Sequence, residues 1–354
     1  TPVCGGLMVQ TDCGHTVVNY PKVLKYGLKA IKEDVIYHKK QTEEMYCFDR
    51  KAKLAEYEAM IISLDAAMAY SQRYADLARR LAEKEADEVR KAELLEIARV
   101  CEKVPAEPAD SFREAVQCIA FIHILCWCEV LNVSLSFGRV DQYLYPYYRK
   151  SVLDLKEITE EEAIELLHMW FIKTNEHTEL YNYDNAQTQM GYQLGIQMTV
   201  GGQTQDGKDA VNELSFTLIE AERNLGLQNP DFGVRVFDGS NREFIKRVAE
   251  VIRLGRGKPK YFFDNKALEC LSKEYPDLPI EELRDYITVG CTELILPFSS
   301  QPNTFVALIN VPKVVELTLK NGKCGITGQQ LGPETGDVRK FMSMGEFRKA
   351  FEKQ

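Results

Sequence analysis

Three consecutive stretches decide the fold class: "PDFGVRVFDG" (Pro230–Gly239), "NREFIKRVAEVIRLG" (Asn241–Gly255) and "KPKYFFDN" (Lys258–Asn265). The first and third read as strands, and the second carries apolar residues at helical spacing. "LGRGKPK", which joins helix to strand, has glycines and basic residues but follows a helix, so it reads as a helix C-cap and loop. Working upstream, "DAVNELSFTLIEAERNL" is a helix and "LGIQMTVGGQ" a strand with a glycine turn. Downstream, "ALECLSKEY" and "IEELRDY" are short helices, and "ITVGCTE" is a strand entering a loop. Strand and helix thus alternate from Gln197 to Glu293, as stacked βαβ units do.

The first third is different. "YPKVLKYGLKAIKEDVIYHKK" is helical with Pro21 near its start, and Lys51 to Val104 reads as two long helices solvated on one face. "EPADSFREAVQCIAFIHIL" opens a new helix behind a proline and an Asp/Ser cap, and "ITEEEAIELLHMWFIKTNE" begins with a capping-box pattern at Thr159. The expected organisation is a mainly helical outer layer over residues 1–130 and an α/β portion over 131–354. No solenoid repeat and no Gly-, Ser- or Pro-rich linker divides the chain.

With 354 residues and 45% hydrophobic content, the chain can bury a large core. Its formal charge of -9, with both signs well mixed, argues against nucleic acid or an anionic membrane as the main partner. The opening residues lack a signal-peptide pattern. The greasiest run, "CIAFIHILCWCEVLNV" (Cys118–Val133), is too short to span a bilayer and holds His123 and Glu129, so it reads as a core helix. The ten cysteines form no C-x-x-C pair and no zinc spacing, and they read as scattered, reduced thiols. Cys126 and Cys128, two apart on the apolar helix, should face different sides. Two of the five histidines sit on apolar helices and read as core groups. No H-E-x-x-H, G-x-S-x-G, P-loop or G-x-G-x-x-G pattern occurs.

Two stretches carry chemistry. "SLSFGRVDQYLYPYY" (Ser134–Tyr148) packs polar, aromatic and charged residues together. It reads either as a corner with Arg139 and Asp141 paired or as a substrate rim with Ser134 or Ser136 facing a pocket. "YITVGCTELILPF" (Tyr286–Phe298) sets Cys291 two residues from Glu293. On extended backbone both would face one side, and Gly290 would permit a tight approach. A neighbouring carboxylate raises a thiol's pKa, so such a pair suits one-electron chemistry at sulfur better than nucleophilic attack. The bland alternative is a strand end with a buried cysteine.

"VGCTE" resembles the active-site loop of glycyl radical enzymes, in the branch marked by C-x-E. "GHTVVNYPKVLKYGLKAI", "SLSFGRVDQYLYPYY", "MTVGGQTQDGKDAVNELSFTLIEA", "FVALINVPKVVELTLKNG" and "TGQQLGPETGD" are similar, in the same order, to other segments of that family. The resemblance covers nearly the whole chain from Gly14. It implies part of a ten-stranded α/β barrel of two antiparallel half-barrels, with a finger loop near residues 286–305 carrying the cysteine to the centre. It implies Cys291 as the thiyl cysteine, Glu293 as general base, and Ser134, Ser136 and Phe305 as substrate contacts. The implied activity is hydrogen abstraction from a small organic molecule followed by C–O or other C–X cleavage, as in a dehydratase. The formate-lyase branch has two adjacent cysteines, whereas Gly290 and Thr292 flank Cys291 here. Permanently bound cofactors are not implied; a glycyl radical, installed by a radical-SAM activating enzyme, is.

Two departures bear on this expectation. No segment here resembles the family's C-terminal glycyl radical segment, and the chain stops in the apparent helix "MGEFRKAFEKQ", so it reads as an internal portion inactive alone. Diol and choline lyases carry a His-Asp pair about a dozen residues past the cysteine, where this chain has Thr304 and Phe305, and often a histidine where it has Val133. With Leu294, Ile295, Leu296 and Phe298 after the base, the pocket wall is expected to be less polar, which makes an arylacetate-type decarboxylase a rival. A catalytically inactive scaffold and a metabolite-binding protein with Cys291 as buried filler are the readings of another class. The family's usual setting implies a homodimer in anaerobic cytoplasm, sometimes inside a shell.

Overall fold

The computed structural model describes residues 7–9, 15–130, 134–177, 195–297 and 307–354. Residues 14–302 form one compact unit, and residues 1–13 with 303–354 form a second.

In the larger unit, helix α1 (Tyr20–Glu44) starts where Asn19 accepts the Lys22 N–H at 3.0 Å, with Pro21 in the first turn. The helix kinks at Gly27, which has φ 72°. A Cβ there would lie 2.5 Å from the Ala106 carbonyl oxygen, so only glycine lets this strand of backbone pass so close. Helices α2 (Arg50–Ala82) and α3 (Glu88–Lys103) pack on each other. On α2 the buried residues are small: Ser71, Ala75, Ala78 and Ala82. The charge-rich remainder is the solvated face that its composition implied.

Helix α4 (Phe112–Val130) lies in the main core, and no helix among the described residues is long and apolar enough to cross a membrane. Cys126 is half-buried on it and Cys128 exposed, as two residues on different sides of the helix should be. His123 is buried; its Nε2 lies 2.9 Å from the Leu135 carbonyl and its ring stacks on Phe137. Two short helices, α5 (Val140–Tyr143) and α6 (Tyr145–Tyr148), precede α7 (Glu160–Asn175), which carries the capping box foreseen at Thr159 and Glu162.

The sheet is parallel throughout. Its strands β4 (Gly138–Arg139), β5 (Gln197–Gly201), β6 (Asp231–Val236) and β7 (Lys260–Phe263) lie side by side in chain order. Gln197 pairs with Asp231, and Gly233 with Lys260. The helices Glu213–Leu225 and Arg242–Ile252 provide the crossovers. Near the sheet, β2 (Thr16–Val17) pairs in parallel with β3 (Leu135–Ser136). This is the parallel α/β architecture expected from the strand–helix alternation.

Successive residues of β5 and β6 point to opposite faces. Met198, Val200, Phe232 and Val234 enter the core shared with the helices, where Phe171 meets Phe232 edge-on at 5.7 Å. Burying each such side chain contributes about 1.5–3 kcal/mol. Gln197, Thr199, Asp231 and Arg235 take the other face and are equally buried. In the smaller unit, β1 (Leu7–Val9) pairs antiparallel with β10 (Ala307–Ile309), followed by the helices Val311–Leu319 and Met344–Phe351.

Candidate functional site

Against the polar face of the sheet lies a hairpin. Strand β8 (Ile287–Val289) pairs antiparallel with β9 (Glu293–Ile295), and Gly290, Cys291 and Thr292 form the turn. Gly290 has φ 58°. A Cβ on it would lie 2.2 Å from His15 Cδ2 and 2.3 Å from Glu293 Oε2, so the tip closes only around glycine. The turn corrects the idea that Cys291 and Glu293 share an extended segment. Cys291 sits in the turn and Glu293 opens the returning strand, because the chain reverses through the three residues 290–292 between β8 and β9. The two still stay close, on one end of the hairpin.

Cys291 is exposed, which rules out a buried filler. The Glu293 side chain is 27% exposed, and its Oε1 lies 3.8 Å from Nε2 of His15, whose side chain is 1% exposed. His15 has φ 60° and is held between the start of β2 and the hairpin tip. The Thr292 N–H donates to Glu293 Oε2 at 3.0 Å.

Side chains from the sheet grip the hairpin along its length. Thr199 and Thr288 join their hydroxyls at 2.8 Å, and the Thr288 N–H donates to Thr199 Oγ1 at 3.0 Å. Gly233 makes room for this contact, since a Cβ there would lie 2.2 Å from Thr288 Oγ1. At the root, Arg235 donates to both oxygens of Asp264 at 2.9 and 3.0 Å and to the Tyr286 carbonyl at 2.9 Å. Its guanidinium carbon lies 3.8 Å from the centre of the Tyr286 ring, whose hydroxyl donates to Asp264 at 2.7 Å. At the tip, Gln197 Nε2 donates to the carbonyls of Gly290 at 2.7 Å and Cys291 at 3.0 Å. Lys260 reaches the same Cys291 carbonyl at 3.2 Å and pairs with the buried carboxylate of Asp231.

The family model for pyruvate formate lyase-like proteins matches residues 1–354. The chain belongs to the pyruvate formate lyase-like family. It is 36% identical over 341 residues to an isethionate sulfite-lyase of Desulfovibrio desulfuricans, covering 96% of this chain and 41% of that protein. It superposes with TM-score 0.89 and 35% identity on a structure described for 1,2-propanediol dehydration in Roseburia inulinivorans, covering 99% of this chain and 44% of that one. An indoleacetate decarboxylase of Tractidigestivibacter scatoligenes is 32% identical over 280 residues, which is 78% of this chain and 31% of the decarboxylase. The chain therefore spans less than half the length of the relatives it matches.

Among the family-derived candidates, Cys291 and Glu293 come together at the hairpin tip. Ser136 is buried and its Oγ accepts the Gln197 N–H at 3.1 Å, so it joins β3 to β5. Ser134 is buried at φ 70°, and a Cβ on Gly195 would lie 2.4 Å from its Oγ and 3.4 Å from Gly290 Cα. It therefore stands one glycine away from the hairpin tip. Phe305, with Thr304, Val133 and Phe298, lies outside the described residues.

Two expectations need correction. Arg139 pairs with Asp285 at 2.8 Å, not with Asp141. Asp141 accepts instead from the Gly201 N–H at 2.7 Å and Ser215 Oγ at 2.6 Å, donors that the end of β5 and the following helix bring to it. Of the apolar residues after Glu293, Leu294, Ile295 and Leu296 are packing, not a pocket wall. Ile295 joins Ile287, Val289 and Val17, while Leu296 and Leu294 join Leu271, Leu283 and Tyr286.

Sequence reasoning passed over His15, Gln197, Lys260 and Asp231. For His15 the signal was the "GHT" at the head of the first family-like segment. For Gln197 and Asp231 it was the polar–apolar alternation within "QMTVG" and "DFGVRV", unusual in parallel strands buried on both faces, while Lys260, at the head of "KYFF", carried no such pattern.

Proposed function

We propose that this chain carries the hydrogen-abstracting cysteine and the base of a glycyl radical lyase of the dehydratase type. The observation that carries this reading is the hairpin tip, where the exposed Cys291 lies two residues before Glu293, whose carboxylate is 3.8 Å from His15, on a hairpin gripped by a buried polar sheet face. The relatives named for isethionate and for 1,2-propanediol dehydration point to small substrates that carry a hydroxyl beside the group that leaves.

A glycyl radical, installed on a segment outside these residues by a radical-SAM activating enzyme, supplies the one-electron oxidation of the Cys291 thiol. The thiol at an exposed turn fits that requirement. Cys291, as a thiyl, takes a hydrogen atom from the hydroxyl-bearing carbon and becomes a thiol. Glu293 takes the hydroxyl proton, with His15 close enough to steady the charge. The bond on the neighbouring carbon breaks, its electron pair leaves with the departing oxygen, and that oxygen takes the proton from Glu293 and departs as water. The Cys291 thiol returns a hydrogen atom to the product carbon, now beside a carbonyl. Ser134 is placed to contact the substrate near Gly290. On this reading the partners are a small organic substrate, the activating enzyme and a second copy of the full protein.

The apolar stretch after Glu293 no longer favours an arylacetate decarboxylase, because Ile295 and Leu296 are buried in packing. The test uses the full-length enzyme, activated anaerobically and offered isethionate, 1,2-propanediol, glycerol, hydroxyproline and arylacetates. A glycyl radical signal with carbonyl product is expected. Carbon dioxide as product would move the assignment to the decarboxylase, and a missing radical would favour the inactive scaffold. Cys291→Ser should keep the radical signal and lower turnover by at least about 1,000-fold.

A further inference from the structure

We propose that Gln197 and Lys260 are positioning residues that set the direction in which Cys291 presents its sulfur. The inference rests on the reading of Cys291 as the hydrogen-abstracting thiol. It starts from a convergence: side-chain donors from β5 and β7 meet on one backbone oxygen. The Cys291 carbonyl receives Gln197 Nε2 at 3.0 Å and Lys260 Nζ at 3.2 Å, and the same Gln197 nitrogen lies 2.7 Å from the Gly290 carbonyl. Two acceptor oxygens around one amide also settle its orientation, since the flipped amide would set oxygen against oxygen.

The geometry has a specific consequence. The Gly290 carbonyl belongs to the rigid peptide plane before the Cys291 Cα, and the Cys291 carbonyl to the plane after it. Pinning both planes fixes φ and ψ of Cys291 and hence its Cα–Cβ direction. Only the rotation about χ1 is left to place the sulfur. A turn with free carbonyls would let that direction wander.

The fold does not require these donors. The hairpin is already closed by its own ladder and tied to the sheet by Thr199 with Thr288 and by Arg235 with Tyr286. The two donors are themselves anchored. Gln197 is fully buried in β5, and Lys260 is tied to Asp231, the β6 partner of Gln197 in the register. The clamp is thus a diagonal across three adjacent strands, stiff because each member belongs to the sheet. Hydrogen-atom transfer is short-ranged, and a misplacement of about 1 Å can cost about 100-fold in rate.

The experiment uses the full-length enzyme with Gln197→Leu, Gln197→Glu, Lys260→Met and Lys260→Arg. Gln197→Glu is nearly isosteric and sets a carboxylate against the two carbonyls, which keeps the test decisive should the leucine variant fail to fold. Hydrogen exchange by mass spectrometry, with no activation and no substrate, should show the amides of residues 290–293 exchanging at least about 10-fold faster in the Leu, Glu and Met variants. Amides of β6 should be unchanged, and Lys260→Arg should stay near wild type. After activation, with isethionate or 1,2-propanediol as the probe, kcat should fall about 10- to 100-fold. The radical signal and KM should stay within about twofold, and the primary deuterium isotope effect should rise as hydrogen transfer becomes limiting. Unchanged exchange at 290–293 overturns the clamp. Faster exchange with kcat and isotope effect unchanged overturns the positioning role. A wild-type enzyme without a radical overturns the reading of Cys291 instead, and the exchange data keep the two failures apart.

Discussion

Strands β5 and β6 bury both faces equally, yet the faces are chemically opposite. Met198, Val200, Phe232 and Val234 meet helices, whose polar backbone is satisfied internally, so these contacts are hydrocarbon against hydrocarbon. Gln197, Thr199 and Arg235 meet a hairpin whose turn leaves carbonyls and amides unpaired, so these contacts are side-chain donors against backbone acceptors. Burial alone does not make a sheet face apolar. What lies opposite decides, because an unpaired buried polar group costs about 1–3 kcal/mol.

The largest break in this comparison is Asp264→Ala. It strands the fully buried Arg235, and about 3–5 kcal/mol of stability should be lost in denaturant unfolding. Phe232→Ala on the apolar face should cost a similar ~3–5 kcal/mol through its cavity. The two should differ in hydrogen exchange: only the Asp264 variant should expose the amides of residues 286–289. If both variants loosen the hairpin alike, the faces are not independent. A double variant, Asp264→Leu with Arg235→Met, should recover much of the loss, since it removes both charges.

Gly233→Ala is a finer probe. The added methyl would meet Thr288 Oγ1, so the hairpin must retreat, at a cost of about 1–3 kcal/mol with lower turnover at Cys291. Thr288→Ala in the same chain should relieve part of that cost. A full-strength Gly233→Ala enzyme would show that the hairpin does not depend on close approach to β6.

The smallest effect at neutral pH tests the apolar side, where a titratable ring is buried against Phe137. Burial, and then the neighbouring His177, push the His123 pKa down to about 3 from the ordinary 6.5. Below 6.5 the unfolded chain takes up a proton that the folded protein refuses. This stabilising contribution is therefore intact above 6.5 and is lost as pH falls toward 3, at about 1.4 kcal/mol per pH unit. His123→Phe should flatten that part of the stability profile, while costing about 1 kcal/mol at neutral pH for the lost bond to Leu135. An unchanged profile would mean that His123 takes up its proton equally readily in the folded and unfolded states.

Much of the fold was legible from local pattern. The helix spacing, the Thr159 cap and the strand–helix alternation rest on interactions within a few residues, which a single segment carries. The ordered family-like segments carried Cys291 and Glu293 as candidates. The hairpin turn was not legible, because strand pairing depends on which residues come back, and "GCT" is compatible with extended chain or turn. The Arg139 partner, Asp285, lies 146 residues away, and no local rule would prefer it to Asp141 two positions on. The apolar run after Glu293 looked like a pocket wall because hydrophobicity marks burial without naming the neighbour. By itself the sequence determined which segments are helix and strand, and which thiol and carboxylate are adjacent. Only the tertiary structure decided that Gln197, Thr199, Arg235 and Lys260 grip the hairpin. Side chains on three strands acquire a common target only once the sheet's register sets them side by side.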